Sequence, residues 1–343
     1  MRAAQVEAYG KPLRLTKVPD PKIDDPHDVI VRVAGAGVCR TDLHILEGRL
    51  EKAFAPALPY TPGHENAGWV HEVGKAVTHL KRGDPVIVHP AISCGHCDAC
   101  RAGNDMHCTS FLLPGIHGID GGYAELLKTS ARALVKLADG TDPTRLAPYS
   151  DAGLTAIHAV KRLAPFTHAG STVIVIGSGG LGHIAVQLLR VLTDARVVVL
   201  VPDGARYAFM EQFGPDAIYM TGDDGGVQAI AEDTKGKGAH VVLDLVGEGR
   251  VPSDAMRMLR KGGLYSIVGY GGNVTIEHLD MINRELTIQG NQIGTYTELC
   301  ELMELDHRGS VRIESKVFPL DRAVDALEEL RAGRILGRAV LVP

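Results

Sequence analysis

The segment "TVIVIGSGGLGHIAVQLLR", from Thr172 to Arg190, sets the tightest limit on what this chain can become. A run of β-branched residues reads as a buried strand and passes directly into Gly177-x-Gly179-x-x-Gly182, where an apolar-periodic helix begins. The first glycine permits the turn, the second lets the backbone approach a diphosphate, and the third lets helix meet strand. Free N–H groups and the helix dipole favour an anion there. Gly177, Gly179, Gly180, Leu181 and Gly182 are therefore the expected contacts of a dinucleotide. A glycine turn in a ligand-free α/β domain is the plainer reading. The following runs "ARVVVLV", "DAIYM", "AHVVLDLV" and "GGLYSIVG" mostly alternate with helix-like segments, which predicts a doubly wound parallel sheet of the Rossmann type.

In such loops an acid about 20 residues further on holds the ribose hydroxyls. Counting 19 from Gly182 gives Val201, which cannot accept a hydrogen bond. The nearest acid is Asp203. Arg206 could reach a 2′-phosphate, although Asp203 beside it would oppose that, and a solvated charge at a helix start is its ordinary role. NAD and NADP both stay open.

The remaining sequence has a different texture. A chain of 343 residues suits two domains at about 150 residues each. Residues 1–150 read as short strands among Gly/Pro turns, so a β-rich domain is expected there. The nucleotide domain then spans 151–285, and "LTIQGN", just beyond it, reads as another strand. Residues 286–343, with the helix-like "LDRAVDALEELRAG" and the strand "GRAVLVP", return to the first domain. The fold class is α/β. A net charge of −5 gives no electrostatic case for nucleic acid or an anionic membrane. The N-terminus has no apolar signal core and the longest apolar runs are strand-length, so neither export nor a membrane span is expected. Cytoplasm is the default.

Four of six cysteines fall between residues 94 and 108, as Cys94-x₂-Cys97-x₂-Cys100-x₇-Cys108. Clustered cysteines in a chain without an export signal point to metal rather than disulfides. Four thiolates close a tetrahedron around Zn²⁺ and leave no position for substrate, so a lobe at residues 90–110 would be a structural zinc site. Iron–sulfur clusters share the two C-x₂-C steps, but the seven-residue last gap and the absence of a Cys-Pro ending favour zinc. His96 and His107 are then solvent-facing.

A fifth cysteine, Cys39, stands in "GAGVCRTDLH", followed by Gly63-His64-Glu65-x-x-Gly68-x₅-Gly74-x-x-Val77. With the glycine loop and the four-cysteine lobe in order, the chain resembles a zinc-dependent alcohol dehydrogenase of the medium-chain dehydrogenase/reductase superfamily over essentially its full length. The resemblance implies a GroES-like catalytic domain beside the Rossmann domain, and two zincs per chain. Cys39 and His64 match two ligands of the catalytic zinc. Asp151 stands where many relatives have cysteine, a variant that resembles a subset of bacterial secondary-alcohol dehydrogenases; an N-cap on the helix from Ala152 is the alternative. Glu65 matches an acid near the metal, and Asp42 a partner of His64. Thr41 matches the hydroxyl that bonds the substrate alcohol, and His44 the histidine passing its proton through the cofactor ribose to solvent. Thr41 as a helix cap and His44 as a surface residue are the plainer readings. Arg40 and Arg338 match diphosphate contacts, and Thr155 a residue packing on the nicotinamide.

The implied activity is reversible hydride transfer between a primary or secondary alcohol, or its carbonyl, and NAD or NADP. A pocket of Leu46, Phe54, Ile92 and Leu112 would be apolar, with Trp69 better placed in the core. A polyol or threonine dehydrogenase is the alternative within the superfamily, and a silent nucleotide-binding redox sensor the alternative of another class. A homo-oligomer, tetramer before dimer, is implied through an edge strand near residues 286–290.

Overall fold

The computed structural model describes residues 1–54 and 57–343. The chain forms two compact units, one of Met1–Leu154, Gly294–Glu304 and Ile313–Pro343, the other of Thr155–Ile293 and Leu305–Arg312.

The first unit is rich in strands: β1 (Arg2–Gln5), β2 (Arg14–Lys17), β3 (Asp28–Val38), β4 (Glu65–Val73), β5 (Pro85–Val88), β6 (Leu126–Ser130) and β7 (Leu134–Lys136). The second holds β8 (Thr172–Ile176), β9 (Arg196–Val201), β10 (Ala217–Met220), β11 (Ala239–Asp244), β12 (Leu259–Ile267) and β13 (Thr287–Gly290). β14 (Ser315–Pro319) and β15 (Arg338–Val342) rejoin the first unit.

In the first unit β14, β15, β3, β4, β5 and β7 lie side by side, with β6 also paired to β3. β3 is the axis of this sheet. It is buried along almost all of its length, and Val29, Ile30 and Val31 are at most 1% exposed. Its ladder with β4 shifts register at Ile30/Val31 and Val33/Gly35, the bulges that let a long strand curve. This is the GroES-like β-rich architecture.

The second unit is an all-parallel sheet in the order β10-β9-β8-β11-β12-β13. Numbered from β8, that is the 3-2-1-4-5-6 order of the Rossmann fold, in which ligands bind beyond the carboxyl ends of the strands. Its central strands are β-branched runs because helices cover both faces; Val173, Ile174, Val197, Val198, Val241 and Val242 are all 0% exposed. "LTIQGN" supplies β13, which pairs with β12 and so belongs to this unit, and the chain returns to the first unit from Gly294. At the carboxyl end of β11, the fully buried Asp244 accepts N–H bonds from Val246 and Gly247 and the hydroxyl of Tyr265 at 2.6 Å. That network sets the turn whose Leu245 and Val246 border Gly177. Among the described residues no helix is long and apolar enough to cross a membrane.

Candidate metal and nucleotide sites

Strand register assembles the first site. Gly37 lies opposite Glu65, so Cys39, one residue beyond β3, and His64, one residue before β4, arrive at the same end of the sheet. On the other side of β3, Ala339 lies opposite Val38 and brings Arg338 alongside. Asp151 follows the 3₁₀ segment Thr144–Ser150, which is tied to β5 by the Ser150 hydroxyl donating to the Val88 carbonyl. The donor atoms of Cys39, His64, Glu65 and Asp151 all lie within 4.8 Å of one another.

Asp42 organises the site. One of its oxygens, Oδ2, accepts the Cys39 N–H at 2.8 Å, capping the helix Arg40–Leu46, and also the Tyr123 hydroxyl at 2.8 Å. The other, Oδ1, faces His64 Nδ1 at 3.4 Å. The opposite ring nitrogen, Nε2, lies 3.5 Å from Asp151 Oδ2. A carboxylate on Nδ1 holds the proton there and leaves the Nε2 lone pair for a metal. Two ligands about 2.1 Å from a tetrahedral Zn²⁺ stand roughly 3.4 Å apart, so the His64–Asp151 spacing fits.

Glu65 is fully buried and gripped by the Arg338 guanidinium through two bonds, one of them Nε to Oε2 at 3.0 Å. A Cβ on residue 37 would fall 1.9 Å from Glu65 Oε2, so only glycine opposite Glu65 lets its side chain lie across the strand. Burial raises the Glu65 carboxyl to about 7 although Arg338 pulls it down. Burial works against charge on Arg338 as well, but Glu65 outweighs it and keeps the guanidinium firmly protonated. Burial also disfavours a charged His64, and there Asp42 and Asp151 outweigh it, holding its proton affinity well above the ordinary value. Cys39, Glu65 and Asp151 thus lie beside a single guanidinium, that of Arg338. Such a donor set suits a divalent cation, and Cys/His/carboxylate leaves one position open.

The helix Arg40–Leu46 carries Thr41 and His44 three residues apart, hence on one face. His44 is buried, Thr41 half-buried and Arg40 exposed. Thr155, also buried, lies on the helix Ala152–Lys161. Of the apolar candidates Leu46 is buried, Ile92 and Leu112 bridge backbone to backbone, and Phe54 packs on His117. Trp69 lies half-buried beneath the Arg32 guanidinium, 4.3 Å from the ring centre.

The four clustered cysteines form a second centre, their sulfurs within 4.8 Å of one another. The Cys94 and Cys100 sulfurs are 4.0 Å apart, against about 3.8 Å for two thiolates on a tetrahedral Zn²⁺. Backbone N–H groups of Cys94 and Ser110 point at the Cys108 sulfur, and that of Cys97 at the Cys94 sulfur. These donors favour thiolate. The Cys100 N–H is the main cause that draws Cys97 down to about 6, whereas burial pushes Cys100 up to about 11. His96 turns back onto the Cys94 carbonyl and is exposed.

In the second unit the glycine loop joins β8 to the helix Gly182–Leu192. A Cβ on Gly182 would fall 1.8 Å from the Gly177 carbonyl oxygen, so helix meets strand only through glycine. A Cβ on Gly179 would meet nothing within 4 Å. No packing demands glycine there, as expected where a diphosphate comes up to bare backbone. The buried Ser178 hydroxyl in the same loop has no partner among the described residues. Val201 ends β9 fully buried. Asp203 caps the helix Gly204–Glu211, Oδ1 accepting the Arg206 N–H at 2.8 Å and Oδ2 its guanidinium at 2.7 Å.

Sequence reasoning missed two relationships. Tyr123 was unmarked in "DGGYAE", yet it is 0% exposed and fixes Asp42. The family match places Arg338 on a diphosphate, whereas its partner in the fold is Glu65.

Residues 25–139 match the alcohol dehydrogenase GroES-like domain, and residues 180–306 the zinc-binding dehydrogenase domain. An alcohol dehydrogenase of Geobacillus stearothermophilus is 35% identical over 99% of both chains. The crystal structure of the alcohol dehydrogenase from the hyperthermophilic archaeon Aeropyrum pernix is 44% identical and superposes over all of both chains with a TM-score of 0.97. A D-arabinose 1-dehydrogenase (NADP+) of Saccharolobus solfataricus is 32% identical over 100% of this chain and 97% of its own.

Replacing Tyr123 by phenylalanine removes one of the bonds that hold Asp42 against His64. Zinc affinity at Cys39, His64 and Asp151 should fall about tenfold, the lower end for such supporting groups. Competition with a chromophoric chelator measures it; unchanged affinity would mean that the Cys39 N–H alone suffices.

Proposed function

The chain belongs to the zinc-binding alcohol dehydrogenases of the medium-chain dehydrogenase/reductase superfamily, and from that premise we propose that it interconverts primary or secondary alcohols and their carbonyls by hydride transfer with NAD. The observation that carries this reading is the convergence of Cys39, His64 and Asp151, with Thr41 and His44 on the helix that Cys39 opens. Cys39, His64 and Asp151 would hold a catalytic zinc, and Cys94, Cys97, Cys100 and Cys108 a structural one, two per chain.

Bound zinc supplies Lewis acidity towards an alcohol or carbonyl oxygen, and the nicotinamide supplies the hydride chemistry. The protein's own share is placement and proton handling. The Thr41 hydroxyl orients the substrate oxygen by a hydrogen bond and takes its proton in oxidation. His44 carries that proton onward towards solvent, a task suited to an imidazole, which can accept on one ring nitrogen and donate from the other. Glu65, neutralised by Arg338, stays beside the three ligands without competing for the open position. Gly177, Gly179, Gly180, Leu181 and Gly182 would cradle the diphosphate, with Arg40 as a further contact and Thr155 against the nicotinamide. NAD is favoured because Arg206, the residue suited to a 2′-phosphate, is already bound to Asp203. The arabinose-named, NADP-named relative supports a second reading, a sugar or polyol substrate.

We assign the edge strand β13 to a homo-oligomer, a tetramer, because the adjoining helix His278–Arg284 exposes Leu279 at 66% and Ile282 at 69%. A cytoplasmic setting suits a chain that keeps its clustered thiols reduced.

Initial rates of small secondary-alcohol oxidation with NAD and with NADP, and zinc content on the same sample, test the main reading. Turnover with two zincs per chain is expected, and the Asp151→Ala variant should hold about one and lose at least ~100-fold in rate. Two zincs retained in that variant would make Asp151 a helix cap instead. No turnover of alcohols, sugars or polyols at full zinc would leave the redox-sensor reading. The His44→Ala variant should slow oxidation most at low pH, where solvent base is scarce, and a profile that overlays the parent's removes His44 from the relay. Sedimentation should show a tetramer that the paired Leu279→Glu and Ile282→Glu changes dissociate; a monomeric parent would refute the assembly.

A further inference from the structure

At the amino-terminal edge of the parallel sheet a groove of about 640 Å³ is lined by Arg196, Asp233, Lys237, His240, Arg260 and Lys261. The carboxylate in this groove, Asp233, is fully engaged, accepting two bonds from Arg196 and the Tyr219 hydroxyl. Among the described residues Lys237, Arg260 and Lys261 have no acidic partner. A chain with a net charge of −5 thus gathers three uncompensated cations in one recess.

His240 adds a second, independent observation. Its Nδ1 accepts the Thr172 backbone N–H at 3.1 Å, so a neutral ring must carry its hydrogen on Nε2. That Nε2 faces Arg260 Nη1 at 2.6 Å, and a guanidinium nitrogen has hydrogens but no lone pair to offer. Two donors therefore point at each other. Neither tautomer resolves this, because Nδ1 and Nε2 each face an N–H group. The His168 ring stands edge-on to His240, 5.5 Å away, with its Nδ1 on the Ala169 carbonyl, and supplies no acceptor to the pair. An oxyanion seated here would accept from Nε2–H and from the guanidinium together, with Lys237 and Lys261 completing the charge.

We propose that this groove binds a phosphate group, free or as a small monoester. The charge-assisted donors match a dianion, and the guanidinium can grip two of its oxygens at once. The site is separate from the glycine loop. Thr172 begins β8 and Gly177 follows its end, so the two lie at opposite edges of the sheet, about 17 Å apart along the strand.

The test is calorimetric titration of the NAD-saturated holoenzyme with inorganic phosphate and with glycerol 3-phosphate, at constant ionic strength. Saturable binding at one site per chain is expected. The Arg260→Gln variant should weaken it about tenfold or more, the scale of a lost charge-assisted hydrogen bond. Lys237→Gln should weaken it several-fold, and both variants should keep the parent's alcohol turnover and melting temperature. The difference between parent and variants isolates the groove from anion binding at zinc or at the glycine loop. Equal affinity for the two probes identifies the phosphate alone as the ligand; tighter binding of the ester shows that the groove also takes the organic part. Absence of saturation, or binding that neither variant alters, overturns the proposal.

Discussion

The buried contact of Glu65 with Arg338, laid across Gly37, is the constraint on which the metal site depends. These residues belong to three neighbouring strands, β4, β15 and β3. Losing either charged partner would leave an uncompensated charge in a closed interior, at a cost of about 3–5 kcal/mol. The pair therefore commits the three strands to one register. In that register Cys39 and His64 meet; a slip of one residue would turn every side chain of a strand to the other face and separate them. Gly37 is part of the same device, because any side chain there would occupy the space of the Glu65 carboxylate.

Electrostatics in this protein is local. The net charge says little about either the acidic centre at Cys39, His64 and Asp151 or the basic recess at Arg260 and Lys261. In the acidic centre the groups do double duty. Asp42 caps a helix and orients the imidazole, and the helix it caps carries Thr41 and His44. Local folding and site geometry are thus the same interaction seen twice. The cysteine lobe works differently. Its N–H donors come from within the loop itself, so a short segment creates its own thiolate environment.

Legibility in the sequence follows that distinction. The glycine loop was readable because strand, turn and helix are contiguous, and Gly182 answers a clash with Gly177 only five residues back. The cysteine lobe was readable because its four ligands span fifteen positions. The parallel sheet of the nucleotide unit was readable from β-branched runs that alternate with helices, while its strand order came from the fold. Cys39, His64 and Asp151 were readable only through family resemblance, since no local rule joins residues so far apart. Tyr123 escaped altogether: a tyrosine after two glycines looks the same whether its hydroxyl meets water or Asp42. Arg338 was assigned by analogy to an anion, and the anion that the fold gives it is a carboxylate of its own chain. Asp203 and Arg206 were read as rivals for the ribose, yet one caps the helix on which the other sits and the two pair.

What the sequence determined by itself is the set of local instructions: where strands and helices form, where the backbone must be bare, and which sulfurs lie close enough to share an ion. Those depend on interactions over a few residues, whose geometry the covalent chain dictates. Tertiary structure alone decided that Glu65 would lie against Arg338, that Tyr123 would hold Asp42, and that His240 would face Arg260. Strand pairing brings Glu65 to Arg338 and His240 to Arg260, whereas Tyr123 reaches Asp42 from a loop onto a helix. Between Glu65 and Arg338, and between Tyr123 and Asp42, burial then gives an ordinary polar side chain a partner that has consequences.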